Sequence, residues 1–174
     1  MDANTLFAAT LRWLHILAGI TWIGLLYYFN FVQAAAFPKM EAAARGNATQ
    51  ILVPRALLFF RWAAAATWIV GVALIATYSA IIPGYSSSPR FYAILVGGLM
   101  GTIMFLNVWG IIWPNQKRII AATNDTIKNG TPAPADQPKW ARRAFLASRT
   151  NTLLSIPMVF FMVAAPFLGS LIHQ

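Results

Sequence analysis

Between residues 13 and 38, 62 and 89, 91 and 116, and 150 and 174 the chain carries no Asp, Glu, Lys or Arg at all. These runs are 26, 28, 26 and 25 residues long. Each exceeds the roughly 20 residues that a helix needs to cross a hydrocarbon core about 30 Å thick. The runs are continuously apolar rather than alternating, so they read as helices and not as strands of a membrane barrel. Charged types make up 10% of the chain, against about 25% in a water-soluble domain. The expected architecture is therefore all-α: an integral membrane four-helix bundle forming a single transmembrane domain over residues 1–174. The spans are expected at about 10–36, 60–82, 91–114 and 151–172. Two amphipathic stretches, Glu41–Gln50 and Trp140–Ala147, are expected as short interfacial helices in the cytoplasmic loops.

The basic residues set an orientation. Lys39, Arg45, Arg55 and Arg61 fall between the first two runs, and Lys117, Arg118, Lys128, Lys139, Arg142, Arg143 and Arg149 between the last two. Only Arg12 and Arg90 remain for the other side, a split of eleven against two. The rule that cytoplasmic loops are basic then places both termini outside the cytoplasm in a multi-pass protein. A net charge of +9 in so apolar a chain points to the anionic lipid surface and not to nucleic acid. The first run has no basic segment before it and is too long for the apolar part of a cleaved signal. Tyr27, Tyr28, Tyr85, Tyr92, Trp113 and Trp140 lie near the expected boundaries, where interfacial aromatics belong.

The chain contains no cysteine. That excludes disulfides, zinc ribbons, iron–sulfur clusters, thiol catalysis and a covalently attached c-type haem. The common phosphate-binding, metalloprotease and serine-hydrolase signatures are absent as well.

What remains is a small set of polar residues inside apolar runs. His15 lies about one turn inside Arg12, and ionisable residues within a membrane usually face the bundle interior. Its helical neighbours Ala18, Gly19 and Trp22 leave room for a flat ligand, and neutral imidazole is a standard haem-iron ligand. His15 is thus a candidate cofactor and metal ligand, with Gly19 and Trp22 beside it. An interhelical hydrogen bond accounts for the same imidazole equally simply. His173, the other histidine, is expected on the same side and completes a bis-histidine site on paper. Met100 and Met104 share a helical face, which leaves copper as a further reading of the metal.

A second cluster gathers at the expected cytoplasmic ends. Tyr27, Tyr28, Asn30 and Gln33 close the first run, Arg61 opens the second, Asn107, Trp109, Trp113, Asn115 and Gln116 end the third, and Ser148, Arg149, Thr150, Asn151 and Thr152 begin the fourth. Guanidinium pairs with an anion, amides read donors and acceptors, and aromatic rings stack, so Tyr27, Asn30, Arg61, Asn107, Trp113, Asn115, Gln116, Arg149 and Asn151 form a candidate site for a small planar anion. Helix ends also collect such residues as caps and snorkelling cations. Gly97 and Gly101 have the spacing of a close helix contact, and Pro157 and Pro166 are expected to kink the last span.

Three blocks, LHILAGITWIGLLYYFNF at Leu14–Phe31, NVWGIIWPNQK at Asn107–Lys117 and SRTNTLLSIPMVFFM at Ser148–Met162, resemble the N-terminal membrane domain of the bacterial cytochrome-c-linked urate oxidase family. The pattern from His15 to Gly24 is also similar to first-helix patterns of membrane families linked to haem or copper. The resemblance implies a bacterial inner-membrane oxidoreductase that oxidises urate and passes electrons to a c-type haem. By position it points to His15, Trp22, Tyr27, Tyr28, Asn30, Asn107, Trp113, Asn115, Gln116, Ser148, Arg149, Asn151 and Thr152. Because the chain has no cysteine, the electron acceptor falls to another subunit, such as a cytochrome c. Three readings follow: a redox membrane protein with haem b on His15, a non-catalytic accessory subunit of a larger or homo-oligomeric membrane assembly, and a transporter of a small anion or metal.

Overall fold

The computed structural model describes residues 2–168. Four long helices make up nearly all of them: α1 (Ala3–Lys39), α2 (Ala42–Ile81), α3 (Pro89–Asn129) and α4 (Gln137–Leu168). All four are long and apolar enough to cross a membrane. Among the described residues there is no strand.

Local chemistry fixes where each helix starts and stops. The Asp2 carboxylate accepts the Thr5 amide proton at 2.6 Å and caps α1. α2 stops at Ile82, in extended conformation before Pro83, because a residue that precedes proline is pushed out of the helical region. Gly84 then takes φ +74°, a left-handed turn suited to a residue without Cβ, and Ser88 caps α3 by accepting from the Phe91 amide at 3.2 Å. Gly130, at φ +69°, closes α3.

α1 and α3 each change pitch part of the way along. Tyr28–Gln33 in α1 and Val108–Ile112 in α3 are π-helical. In both cases an asparagine side chain takes a carbonyl four residues back: Asn30 Nδ2 donates to Leu26 O at 2.9 Å, and Asn115 Nδ2 to Ile111 O at 2.7 Å. A side chain inserted into the backbone ladder widens it. In α3 the absence of an amide proton on Pro114 adds to the effect.

The stretches expected as separate interfacial helices are instead the first turns of α2 and α4. Arg55 and Arg61 interrupt the apolar run but nothing in this segment ends a helix, and Pro54 is accommodated inside α2. The two expectations fail for one reason: charge limits the lipid-compatible stretch, not the helix.

The helices pair as two antiparallel hairpins, α1 with α2 and α3 with α4, which touch each other less extensively. Small residues permit the close approaches. A Cβ on Gly97 would lie 3.1 Å from Met162 Cε and 3.3 Å from the Met158 carbonyl oxygen, so α3 meets α4 there. Gly101, its expected partner in that contact, has nothing within 4 Å and faces an opening between the hairpins. A central layer of Trp22, Leu26, Phe60, Ala64, Met104, Val108 and Met158 packs the hairpins together. The exterior carries exposed Ile20, Ile69, Leu99, Leu153 and Val163, an apolar surface of the kind that lipid covers. Cavities open at both ends of this packed layer.

Candidate functional site

The cavity at the His15 end has a volume of about 780 Å³ and lies between the hairpins, with walls from all four helices. Apolar side chains dominate it, and Arg12, His15, Trp22, Tyr78, Tyr85 and Arg90 supply the polar groups. His15 Nδ1 lies 2.9 Å from the Thr67 carbonyl oxygen of α2. A carbonyl can only accept, so Nδ1 carries the proton and Nε2 presents its lone pair. The ring rests on Gly71, where a Cβ would meet His15 Cε1 at 2.9 Å and Nδ1 at 3.1 Å. One turn earlier, Gly19 lets α1 close on Thr67, whose methyl would lie 3.8 Å from an added Cβ. Among the described residues no hydrogen bond engages His15 Nε2.

Trp22 lies two turns along the same face of α1 and is 2% exposed, yet its indole N–H has no acceptor among the described residues. Buried indole N–H groups ordinarily find one. At the rim, Arg90 sits over the rings of Tyr78 and Tyr85, 5.2 and 5.9 Å from their centroids. Burial pushes the Tyr85 phenol above its ordinary value, against the smaller opposing pull of Arg90.

These features suit a flat, apolar-bodied ligand with one coordination site. The imidazole has its tautomer fixed by the Thr67 carbonyl and its other nitrogen without a hydrogen bond among the described residues, the arrangement usual for a metal-bound histidine. The volume falls within the ordinary range of ligand pockets. Among the described residues no three His, Cys, Asp or Glu side chains converge. His173 lies outside the described residues.

The other expected cluster takes a different form. Three of its members, Tyr27, Asn30 and Asn107, bond to one face of α4. Asn107 Nδ2 donates to Asn151 Oδ1 at 2.8 Å, and Asn151 Nδ2 donates to the Met104 carbonyl at 2.9 Å. Asn30 Nδ2 donates to Ser148 Oγ at 2.7 Å. Ser155 gives its proton to the Thr152 carbonyl, so the Tyr27 hydroxyl, 3.0 Å from Ser155 Oγ, is the donor there. Tyr27, Asn30, Asn107 and Asn151 are thus brought together, but largely by bonding to α4 and to one another. Arg61 and Trp113 meet as a cation–π pair, with the guanidinium 3.8 Å from the ring centroid. Arg149 is exposed, its guanidinium 5.0 Å from the Phe145 ring, and Tyr28 packs edge-on against Phe29.

Beyond this network a second cavity, about 1130 Å³, opens among the helix ends that carry most of the basic residues. Asn30, Gln33, Gln116 and Gln137 line it with Arg45 and Arg142. Buried side-chain oxygens of Asn30, Gln33 and Gln137 have no hydrogen-bond partner there, and Asn115 Oδ1, in the adjoining turn of α3, has none either. Unmet acceptors of this kind match a ligand rich in N–H groups. The sequence reading missed Thr67 and Gly71, whose spacing in α2 repeats the His15–Gly19 spacing in α1. It also left out Gln137 and Ser155, the latter one further turn along the face of Ser148 and Asn151.

Compared with known proteins, residues 85–173 match the family model described as urate oxidase N-terminal. No curated protein and no solved structure matches the chain. The matched segment holds the connection before α3 and the whole second hairpin, with Asn107, Asn115, Asn151 and Arg90, and it covers more than half of the 174 residues. The chain belongs to the urate oxidase N-terminal family.

Proposed function

We propose that this chain is a redox-type integral membrane protein that carries haem b on His15 and admits a small planar anion at the opposite end. The observation that carries the reading is the state of the imidazole: Nδ1–H is committed to Thr67 O, and Nε2 is open in a cavity walled by both hairpins. Haem bound there would supply one-electron transfer. The protein's own part is to hold the ring against Gly71, keep its tautomer fixed and exclude water with apolar walls. The Trp22 side chain adds to the wall of that space.

At the other end the partnerless oxygens of Asn30, Gln33 and Gln137 suit N–H donors, and Arg45 and Arg142 suit negative charge. A urate-like heterocycle combines the two, which fits the family. The concentration of basic residues at these helix ends supports a cytoplasmic position for that cavity in the bacterial inner membrane, with both termini outside. Residues 1–174 hold no cysteine to anchor a c-type haem, so in this reading they pass electrons to an acceptor outside them, such as a cytochrome c.

A second reading, an accessory subunit without catalysis, is favoured by the same His15–Thr67 bond, which also pins two helices together. A reduced-minus-oxidised spectrum of protein purified from haem-replete cells separates the two. The redox reading expects a Soret and α-band in the wild type and neither in His15→Ala. Identical spectra in the two proteins, or no bands in either, leave the accessory reading standing.

A further inference from the structure

The His15 cavity is lined by two arginines and, among the described residues, by no carboxylate side chain. Arg12 and Arg90 come one from each hairpin. The chain has four acidic residues, Asp2, Glu41, Asp125 and Asp136. Asp2 caps Thr5, and the ion pair formed among the described residues, Lys139–Asp136, is at the opposite end. Two guanidinium groups at the rim of one low-dielectric cavity repel each other, and a ligand with two negative charges turns that cost into attraction.

Their placement relative to His15 adds geometry to charge. Arg12 lies one turn before His15 on the same stripe of α1, about 4.5 Å along the axis, so its side chain starts just beyond the imidazole toward the helix N-terminus. Arg90 is in the first turn of α3, its guanidinium held over Tyr78 and Tyr85. That stacking keeps the planar group at the rim and limits the conformations it samples.

We propose that Arg12 and Arg90 form a two-point carboxylate clamp, and that the ligand is a tetrapyrrole with two carboxylates on one edge, seated with that edge at the cavity mouth. The inference rests on the reading of His15 as the iron ligand and deepens it: the imidazole holds the metal, and the two arginines choose which way the ring faces and which tetrapyrroles are accepted.

The test is titration of the full chain in mild detergent, followed by Soret absorption, with haemin and with haemin dimethyl ester, whose carboxylates are blocked. The proteins are the wild type, His15→Ala, Arg12→Gln/Arg90→Gln and Arg12→Lys/Arg90→Lys. The clamp predicts that the glutamine double variant binds haemin roughly tenfold or more weakly than the wild type, since each site gives up a charge-assisted bond. The lysine variant, which keeps the charge, recovers part of the loss. The ester binds the wild type and the glutamine variant alike. Equal haemin affinity in the wild type and the glutamine variant overturns the clamp and leaves the iron ligand intact. Haemin affinity unchanged by His15→Ala overturns the underlying reading and the clamp with it. Because the ester comparison is made within each folded protein, a general folding defect lowers both ligands together and is told apart from loss of the clamp.

Discussion

Asn107, Asn151 and the Met104 carbonyl form a closed sequence of hydrogen bonds deep in the bundle, with Asn151 0% exposed and both of its polar groups engaged. His15, on the other side of the packed layer, engages one ring nitrogen and leaves the other facing a cavity. Both are polar groups among apolar helices, and each buries an amide or imidazole that lipid cannot satisfy. The difference lies in what remains after the protein's own bonds are counted. Asn151 commits both of its polar groups to holding α3 against α4, and such a network specifies packing. The imidazole has capacity left over, and so has the buried Trp22 N–H. Leftover capacity, and not polarity itself, separates the candidate site from helix glue in this molecule.

The largest effect expected from breaking this contrast comes at Gly71. Gly71→Ala puts a Cβ 2.9 Å from His15 Cε1 against a ring already bonded to Thr67, so the imidazole must move. Haemin titration should show binding weakened by more than about tenfold, with a stability loss of about 1–3 kcal/mol typical of overpacking. Next comes Asn151→Ala, which strands the Asn107 amide and removes the interhelical bond to the Met104 carbonyl. Unfolding in detergent should show a loss of about 1–2 kcal/mol. Haem absorption per folded molecule should stay unchanged. A spectral change in Asn151→Ala, or none in Gly71→Ala, erases the distinction between the two regions.

Much of this was legible in the sequence, and what was not has identifiable causes. Four helices follow from four gaps in charge. Their lengths do not, because Arg55 and Arg61 end an apolar run without ending α2. The π-helical turns are hidden for a different reason: they arise when Asn30 and Asn115 reach back to carbonyls of their own helix, and nothing in those residue types says whether they will. His15 was identifiable as an imidazole within a long apolar run, but its partner is a backbone carbonyl, which leaves no mark in the sequence. The asparagine cluster was correctly gathered at one level. Its members were readable as ligand-binding groups or as mutual partners, and only their distances show how many of their bonds are already made.

Smaller effects sharpen the picture of the hairpins. Gly97→Ala meets Met162, Phe161 and the Met158 carbonyl at 3.1–3.3 Å and should lower stability by about 1 kcal/mol. Gly101→Ala, with nothing within 4 Å, should change stability by less than about 0.5 kcal/mol. The pair is checked by the same detergent unfolding. The smallest effect is alkaline. The Tyr85 phenol is raised in the folded protein, so the native state favours its protonated form. Its contribution is complete below the unfolded value near pH 10 and is lost as pH rises through the folded value. Tyr85→Phe should therefore flatten the fall in stability above about pH 10 relative to the wild type, read from unfolding midpoints across that range.

The most direct test of the central claim is an experimental density map of the wild-type chain in lipid nanodiscs prepared from haem-replete cells. The account predicts flat density between the hairpins, joined to His15 Nε2 and resting beside Gly71 and Trp22. Lipid tails filling that space, or a cavity closed by direct contact of the hairpins with Nε2 bonded to a neighbouring side chain, would contradict it.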